Sequence, residues 1–128
     1  MQLQAVHHIA IICSDYEASK AFYTDILGFT IIREVYREDR DSYKLDLALN
    51  DTYLIELFSF PEAPERPSYP EARGLRHLAF EVKNIEKAVA ELHQSGIQVE
   101  EIRIDPYTSK RFTFFSDPDG LPLELYEI

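Results

Sequence analysis

His8-Ile9-Ala10-Ile11 recurs as His77-Leu78-Ala79-Phe80, and Leu54-Ile55-Glu56-Leu57-Phe58 recurs as Pro122-Leu123-Glu124-Leu125-Tyr126. The interval from histidine to glutamate is 48 residues in the first copy (positions 8 to 56) and 47 in the second (positions 77 to 124). The intervening patterns match as well. Val6 to Ile12 is rich in β-branched residues and reads as a strand. Ser14 or Asp15 caps a helix over Tyr16 to Leu27, whose apolar stripe is Ala18, Phe22, Ile26 and Leu27 and whose stop is Gly28. Strands are predicted over Phe29 to Tyr36, Tyr43 to Leu49 and Tyr53 to Phe58, with a tight turn at Asn50-Asp51. In the second copy Arg76 to Val82 is the strand, and Asn84 follows His77 at the same distance as Asp15 follows His8. Ile85, Ala88, Val89 and Leu92 form the helical stripe, which ends at Gly96. Strands at Val99 to Ile104, Arg111 to Ser116 and Pro122 to Glu127 complete the copy, with Asp117-Pro118-Asp119-Gly120 as a turn. Each unit reads β-α-β-β-β.

Between the copies lie Pro61, Pro64, Pro67 and Pro70, a density that suits neither helix interior nor central strand. The chain therefore divides into module one over 5–58, a linker over 59–75 and module two over 76–128. Neither module is large enough to bury much surface alone. The expectation is one α+β domain over 1–128, with tandem modules forming a curved, mostly antiparallel sheet and helices on its outer face.

Strand alternation sorts the side chains. Ile9 and Ile11 oppose His8, Ala10 and Ile12, while Leu78, Phe80 and Val82 oppose His77, Ala79 and Glu81. With the apolar sets under the helices, both histidines face the concave side, where Ala10 and Ala79 keep the hollow open. Glu56 and Glu124 alternate with apolar neighbours and point the same way. Uncompensated carboxylates in such a hollow would be costly, and a divalent cation removes that cost. Two imidazoles and two carboxylates suit Zn, Ni, Co, Mn or Fe rather than Ca or Mg. His8, Glu56, His77 and Glu124 are the candidate ligands. His7 competes with His8 but has no repeat partner, because Arg76 holds the equivalent position; His93 is read as a surface helix residue. Protein ligands that leave coordination positions open would let such a site bind a bidentate substrate and stabilise an enolate, with a ligand carboxylate as base.

Composition narrows the alternatives. With 45% hydrophobic and 28% charged residues, this is neither a disordered nor a membrane composition, and no apolar run approaches a membrane span. A net charge of −10 argues against nucleic-acid or anionic-membrane partners. The single cysteine, Cys13, excludes an internal disulfide framework, is read as a small buried hydrophobe and fits a cytoplasmic location. No P-loop, GxGxxG or Ser-His-Asp order is present. The cations cluster locally, with Arg33, Arg37, Arg40 and Lys44 in one stretch and Arg103, Lys110 and Arg111 in another. Arg37, Arg40, Lys44, Tyr107, Lys110 and Arg111 are the candidates for contacting a small-molecule substrate.

His8-Ile-Ala-Ile, Phe22-Tyr23-Thr24-Asp25-Ile26-Leu27-Gly28-Phe29, Ile55-Glu56-Leu57, Gly74-Leu75-Arg76-His77-Leu78-Ala79 and Asp117-Pro118-Asp119-Gly120-Leu121-Pro122-Leu123-Glu124 together resemble the glyoxalase I / bleomycin resistance / extradiol dioxygenase family. This is the vicinal oxygen chelate superfamily. The resemblance covers nearly the whole chain and is strongest to small glyoxalase I-like bacterial proteins. It implies that His8, Glu56, His77 and Glu124 match the glyoxalase I metal ligands, and that Glu124 and Glu56 are candidate catalytic bases. It further implies a homodimer, in which His8 and Glu56 meet His77 and Glu124 either of the same chain or of the partner. Bacterial glyoxalase I carries an Arg four residues after its first ligand and an Asn four residues after its second, both on glutathione. Here those positions are Ile12 and Phe60, which leaves glutathione poorly served. The resulting expectation is a divalent-metal-dependent lyase or isomerase that moves a proton next to a metal-bound carbonyl. A methylmalonyl-CoA epimerase-like enzyme and a non-catalytic drug- or metabolite-binding protein are the alternatives.

Overall fold

The structure, a computed structural model, describes residues 1–60 and 62–128. It comprises two compact units, Met1–Pro64 and Glu65–Ile128.

The first unit is a four-stranded mixed sheet in the order β1-β4-β3-β2, formed by β1 (Ile9–Cys13), β2 (Thr30–Arg37), β3 (Ser42–Leu49) and β4 (Thr52–Ser59). β2–β3 and β3–β4 are antiparallel, whereas β1 lies parallel to β4 with Ile9 opposite Ile55, Ala10 opposite Glu56 and Ile11 opposite Leu57. Ile11, Cys13, Leu45, Leu47, Ile55 and Leu57 are buried, so every second residue feeds the core while Ala10 and Ile12 stay exposed. β3 and β4 join through Asn50 and Asp51, both in the left-handed region (φ 49° and 65°), the conformation that matches the twist of a two-residue hairpin.

Helix α1 (Tyr16–Ala21) begins at Asp15, whose side chain accepts the Ala18 N–H at 3.1 Å. The uniform helix expected to Leu27 instead widens into a π turn over Phe22–Ile26, where the Leu27 N–H reaches the Phe22 carbonyl at 3.0 Å. Phe22 and Tyr23 are both buried, and the wider turn lets these adjacent rings enter the core together, edge to face at 5.2 Å. Glu34 of β2 ties the sheet to α1 by accepting from Lys20 (2.8 Å) and from the Tyr16 hydroxyl. These two hydrogen bonds, Lys20 first, hold the Glu34 carboxyl below the usual range.

The second unit repeats the plan with order β5-β8-β7-β6, from β5 (Leu78–Val82), β6 (Arg103–Ile104), β7 (Arg111–Ser116) and β8 (Pro122–Glu127). Again the first strand lies parallel to the last, with Ala79 opposite Glu124. Helix α2 (Ile85–Gln94) starts at Asn84, which accepts the Lys87 N–H at 3.0 Å. Arg111 braces this helix to the sheet by a bidentate pair with Glu127 (2.7 and 2.9 Å) and a 3.1 Å bond to Glu86, while Glu127 also accepts the Ile85 N–H. Only Arg103 and Ile104 of the strand expected over Val99 to Ile104 join the ladder. Residues before them bond irregularly, through Glu100 N–H to the Phe114 carbonyl and Thr113 Oγ1 to the Glu100 carbonyl. The proline-rich stretch is tethered by Arg66, which donates to the Leu75 and Arg76 carbonyls and to Ser68, while Ser68 donates to the Gly120 carbonyl.

The Asn50-Asp51 turn sets the β3–β4 register, so its backbone demand is testable. Asp51→Val should lower stability by about 1–2 kcal/mol, because a β-branched residue resists positive φ, whereas Asp51→Gly should not lower it. Urea denaturation of the two variants measures the difference.

Candidate functional site

Module one builds its site on the sheet face opposite the helix. The β1/β4 register places Glu56 beside the small side chain of Ala10, and the Glu56 side chain stays 15% exposed. His8, one residue before β1, brings Nε2 to 3.7 Å from Glu56 Oε1. The His8 ring stacks on Tyr53 (centroids 5.3 Å, 14° between planes), and its Nδ1 lies 2.7 Å from Nδ1 of His7. When His8 carries the proton of that bond, its Nε2 presents a lone pair toward Glu56. Across the ladder, Asp46 faces Glu56. Lys44 Nζ lies 2.7 and 2.9 Å from the two Asp46 oxygens and 3.3 Å from Glu56 Oε2, while the Tyr53 hydroxyl donates to Asp46 at 2.8 Å and to Glu56 at 3.2 Å.

Asp46 is 3% exposed, so burial pushes its carboxyl up; the Lys44 and Tyr53 hydrogen bonds and the Lys44 and Arg33 charges outweigh burial, and the group lies below its ordinary value. Burial likewise acts to lower Lys44, but its bonds to Asp46 and Glu56 leave it raised. Tyr53 is raised, by burial first and then by the Asp46 carboxylate.

Module two presents the same pair in different surroundings. His77 Nε2 lies 3.1 Å from Glu124 Oε2, and Glu124 sits beside Ala79. The position equivalent to Asp46 is Phe114, opposite Glu124, with its ring edge-on to His77 at 5.0 Å; the position equivalent to Lys44 is Phe112. Arg103 lies over both rings, at 5.0 and 5.7 Å. One carboxylate thus sits in a charged, hydrogen-bonded network, and the other beside aromatic edges.

The six candidate substrate contacts separate. Lys44 is on the Glu56 face, bound to both carboxylates. Arg37 is on that face too, stacked over Phe58 and Phe60 at 4.7 and 5.5 Å. Arg40 lies in the exposed 3-10 turn Glu38–Arg40, and Tyr107 and Lys110 lie in the exposed segment before β7. Arg111 is placed on the helix side of its sheet with Glu127 and Glu86, away from the Glu124 face, because an odd-numbered register position on β7 turns it inward to α2. Asp46 and Tyr53 did not emerge from sequence reasoning, and His7, expected there only as a competitor to His8, sits against the His8 ring instead. For Asp46 a signal exists, since Lys44 and Asp46 alternate with buried Leu45 and Leu47 and so share the Glu56 face. Glu56 is not the uncompensated carboxylate expected from strand alternation, because Lys44 and Tyr53 already compensate it. Among the described residues, no group of three or more His, Cys, Asp or Glu side chains is gathered to hold a metal ion. The donors of each module, an imidazole nitrogen and a carboxylate oxygen beside an alanine, do fit a first-row transition ion in type and accessibility.

Comparison with known proteins agrees with this plan. The family model for the Glyoxalase/Bleomycin resistance protein/Dioxygenase superfamily matches residues 5–125. The chain belongs to that superfamily. It is 70% identical to the uncharacterized protein YaeR of Escherichia coli over 98% of this chain and 97% of the relative. It is 30% identical to a lactoylglutathione lyase of Salmonella typhimurium over 94% of this chain and 90% of the relative. The crystal structure of a glyoxalase family protein from Enterococcus faecalis matches with a TM-score of 0.92 at 51% identity, covering 99% of this chain and 100% of that one.

Replacing Asp46 by Asn leaves Lys44 without its closest carboxylate, and should cost roughly 2 kcal/mol, moderated because Lys44 reaches solvent. A depressed carboxyl stabilises above its unfolded pKa and loses that contribution as pH falls through the folded value. The stability gap between wild type and Asp46→Asn should therefore hold from pH 6 to 8 and close below the usual carboxylate range. Thermal melts across pH would show it.

Proposed function

We propose that this protein is a divalent-metal-dependent proton-transfer enzyme of the glyoxalase I type, a lyase or isomerase acting on a small α-hydroxycarbonyl compound. The observation that carries the reading is the duplicated His–Glu pair, set by matching strand registers at 3.7 Å in one module and 3.1 Å in the other. His8, Glu56, His77 and Glu124 would hold one Zn, Ni, Co, Mn or Fe ion, from one chain or across a homodimer. When bound, the ion supplies Lewis-acid stabilisation of a developing enolate oxygen.

The residues of the chain divide the remaining work unequally. Glu56 is fixed by Lys44 and Tyr53, which suits a positional role. Glu124 has His77 as its polar partner and aromatic edges around it, so its carboxylate is freer to swing toward substrate. In this scheme a Glu124 oxygen takes the proton from the hydroxyl-bearing carbon next to the carbonyl and returns it to the carbonyl carbon, while the hydroxyl proton passes to the former carbonyl oxygen and the carboxylate is regenerated. Return of the proton to the other face of the same carbon would instead give epimerisation, as in a methylmalonyl-CoA epimerase-like enzyme. Relatives named as lactoylglutathione lyases support the lyase reading. Ile12 and Phe60, both apolar, support a substrate other than a glutathione adduct.

One observation favours a second reading. The Lys44 ammonium already sits on Glu56, as it would in a binding protein that uses no metal.

Protein purified without added metal should contain about one equivalent of a transition metal per His–Glu quartet, and should exchange solvent deuterium into at least one member of an α-hydroxycarbonyl and acyl-CoA panel. Glu124→Gln should retain the metal and reduce exchange by about 10²–10⁴-fold. Substoichiometric metal, together with unaltered ligand affinity in Glu124→Gln, would establish the binding-protein reading instead.

A further inference from the structure

The mechanism above makes no use of Arg37. This residue closes β2 on the same sheet face as Glu56, opposite Ser42 in the ladder. Its Nη2 donates to Ser42 Oγ at 3.0 Å, and Ser42 itself is fully buried and donates onward to the Tyr43 carbonyl at 3.3 Å. The guanidinium plane rides over Phe58 at 4.7 Å and Phe60 at 5.5 Å. Its Nε is shielded from solvent and has no hydrogen-bond acceptor. In a chain of net charge −10, this half-buried cation is held by a hydroxyl and two phenyl rings, and among the described residues no carboxylate forms an ion pair with it. Lys44, its neighbour on the same face, has two carboxylates. A guanidinium fixed in orientation, resting on aromatic rings and lacking a counterion has the properties of an oxyanion receptor.

The floor of this receptor is continuous with the Glu56 site. Ile12 of β1 lies opposite Phe58 and is 52% exposed on the same face. Two residues along a strand advance about 6.7 Å, so the Phe58–Phe60 platform lies roughly 7–13 Å from Glu56.

We propose that Arg37 anchors the oxyanion, a carboxylate or phosphate, of an anionic substrate, whose short apolar body lies along Ile12, Phe58 and Phe60 toward Glu56. This deepens the proton-transfer reading and rests on it only for what the other end of the substrate does. Ser42 acts as a positioning residue that orients the guanidinium.

The test uses full-length ¹⁵N-labelled protein, as purified and after metal removal, titrated with phenylphosphonate, benzoate and the uncharged benzamide. At least one anion should shift the Arg37 Nε–H signal and the backbone signals of Ser42, Phe58 and Phe60 saturably, with an affinity tenfold or more above that for benzamide. Shifts from phenylphosphonate alone would assign a phosphate-bearing substrate, and shifts from benzoate alone a carboxylate. Arg37→Gln should abolish the preference for acid over amide while leaving metal content unchanged, and Arg37→Lys, which keeps the charge without the planar fork, should retain only part of it. Equal binding of benzamide, or anion shifts located away from Arg37, would overturn the proposal without any variant having to fold. Loss of metal with anion binding intact would remove the metal reading and leave Arg37 as the receptor.

Discussion

Each module depends on a parallel pairing between its first strand and its last. The antiparallel hairpins need only local turns, but β1 must travel through a helix and two further strands before β4 lies beside it. The register it then adopts sets alanine against glutamate in both copies, Ala10 with Glu56 and Ala79 with Glu124. A shift of one residue would turn Ile55 or Leu123 to the outer face and bury the carboxylate, a change the core forbids because Ile55 and Leu123 are fully buried. The packing of the core therefore positions the polar pair, and His8 and His77 follow because each directly precedes its strand.

Within that shared frame the two copies differ. Module one surrounds its glutamate with Lys44, Asp46 and Tyr53, and the Lys44 ammonium and Tyr53 hydroxyl each reach both carboxylates. Module two has Phe112 and Phe114 at the positions of Lys44 and Asp46, so among the described residues His77 is the polar side chain against Glu124. The two copies share one strand register, and the neighbouring strand β3 or β7 decides how tightly each carboxylate is held. A fixed carboxylate and a freer one can perform different tasks.

The repeat, the strand alternation and the caps were legible in the sequence, and β7 and β8 begin and end where the pattern predicts. The His–Glu pairing was legible too, because it needs only the period of two and the position of each histidine before its strand. What the pattern could not show was local. The helix after β1 widens because two adjacent aromatics both enter the core, a packing demand with no periodic signature. Val99 to Glu101 has the composition of a strand, yet its backbone bonds irregularly to Phe114 and Thr113. Asp46 was overlooked because a lone carboxylate in a strand ordinarily faces solvent; its burial appears only once Lys44 and Tyr53 are seen closing over it. Arg111 looked like a substrate contact from its charge, while its register position turns it toward α2.

The parallel closure also orders events in time. The β3–β4 hairpin and α1 form from contacts a few residues apart, whereas β1 meets β4 only after a loop of more than forty residues has been drawn shut. Loop entropy makes such a contact late and slow relative to the local ones. His8 comes near Glu56 only when that strand docks, and the same holds for His77 and Glu124. A nascent or partly folded chain thus holds its histidines and glutamates apart, and the last strand to zip is the one that brings the donors into reach.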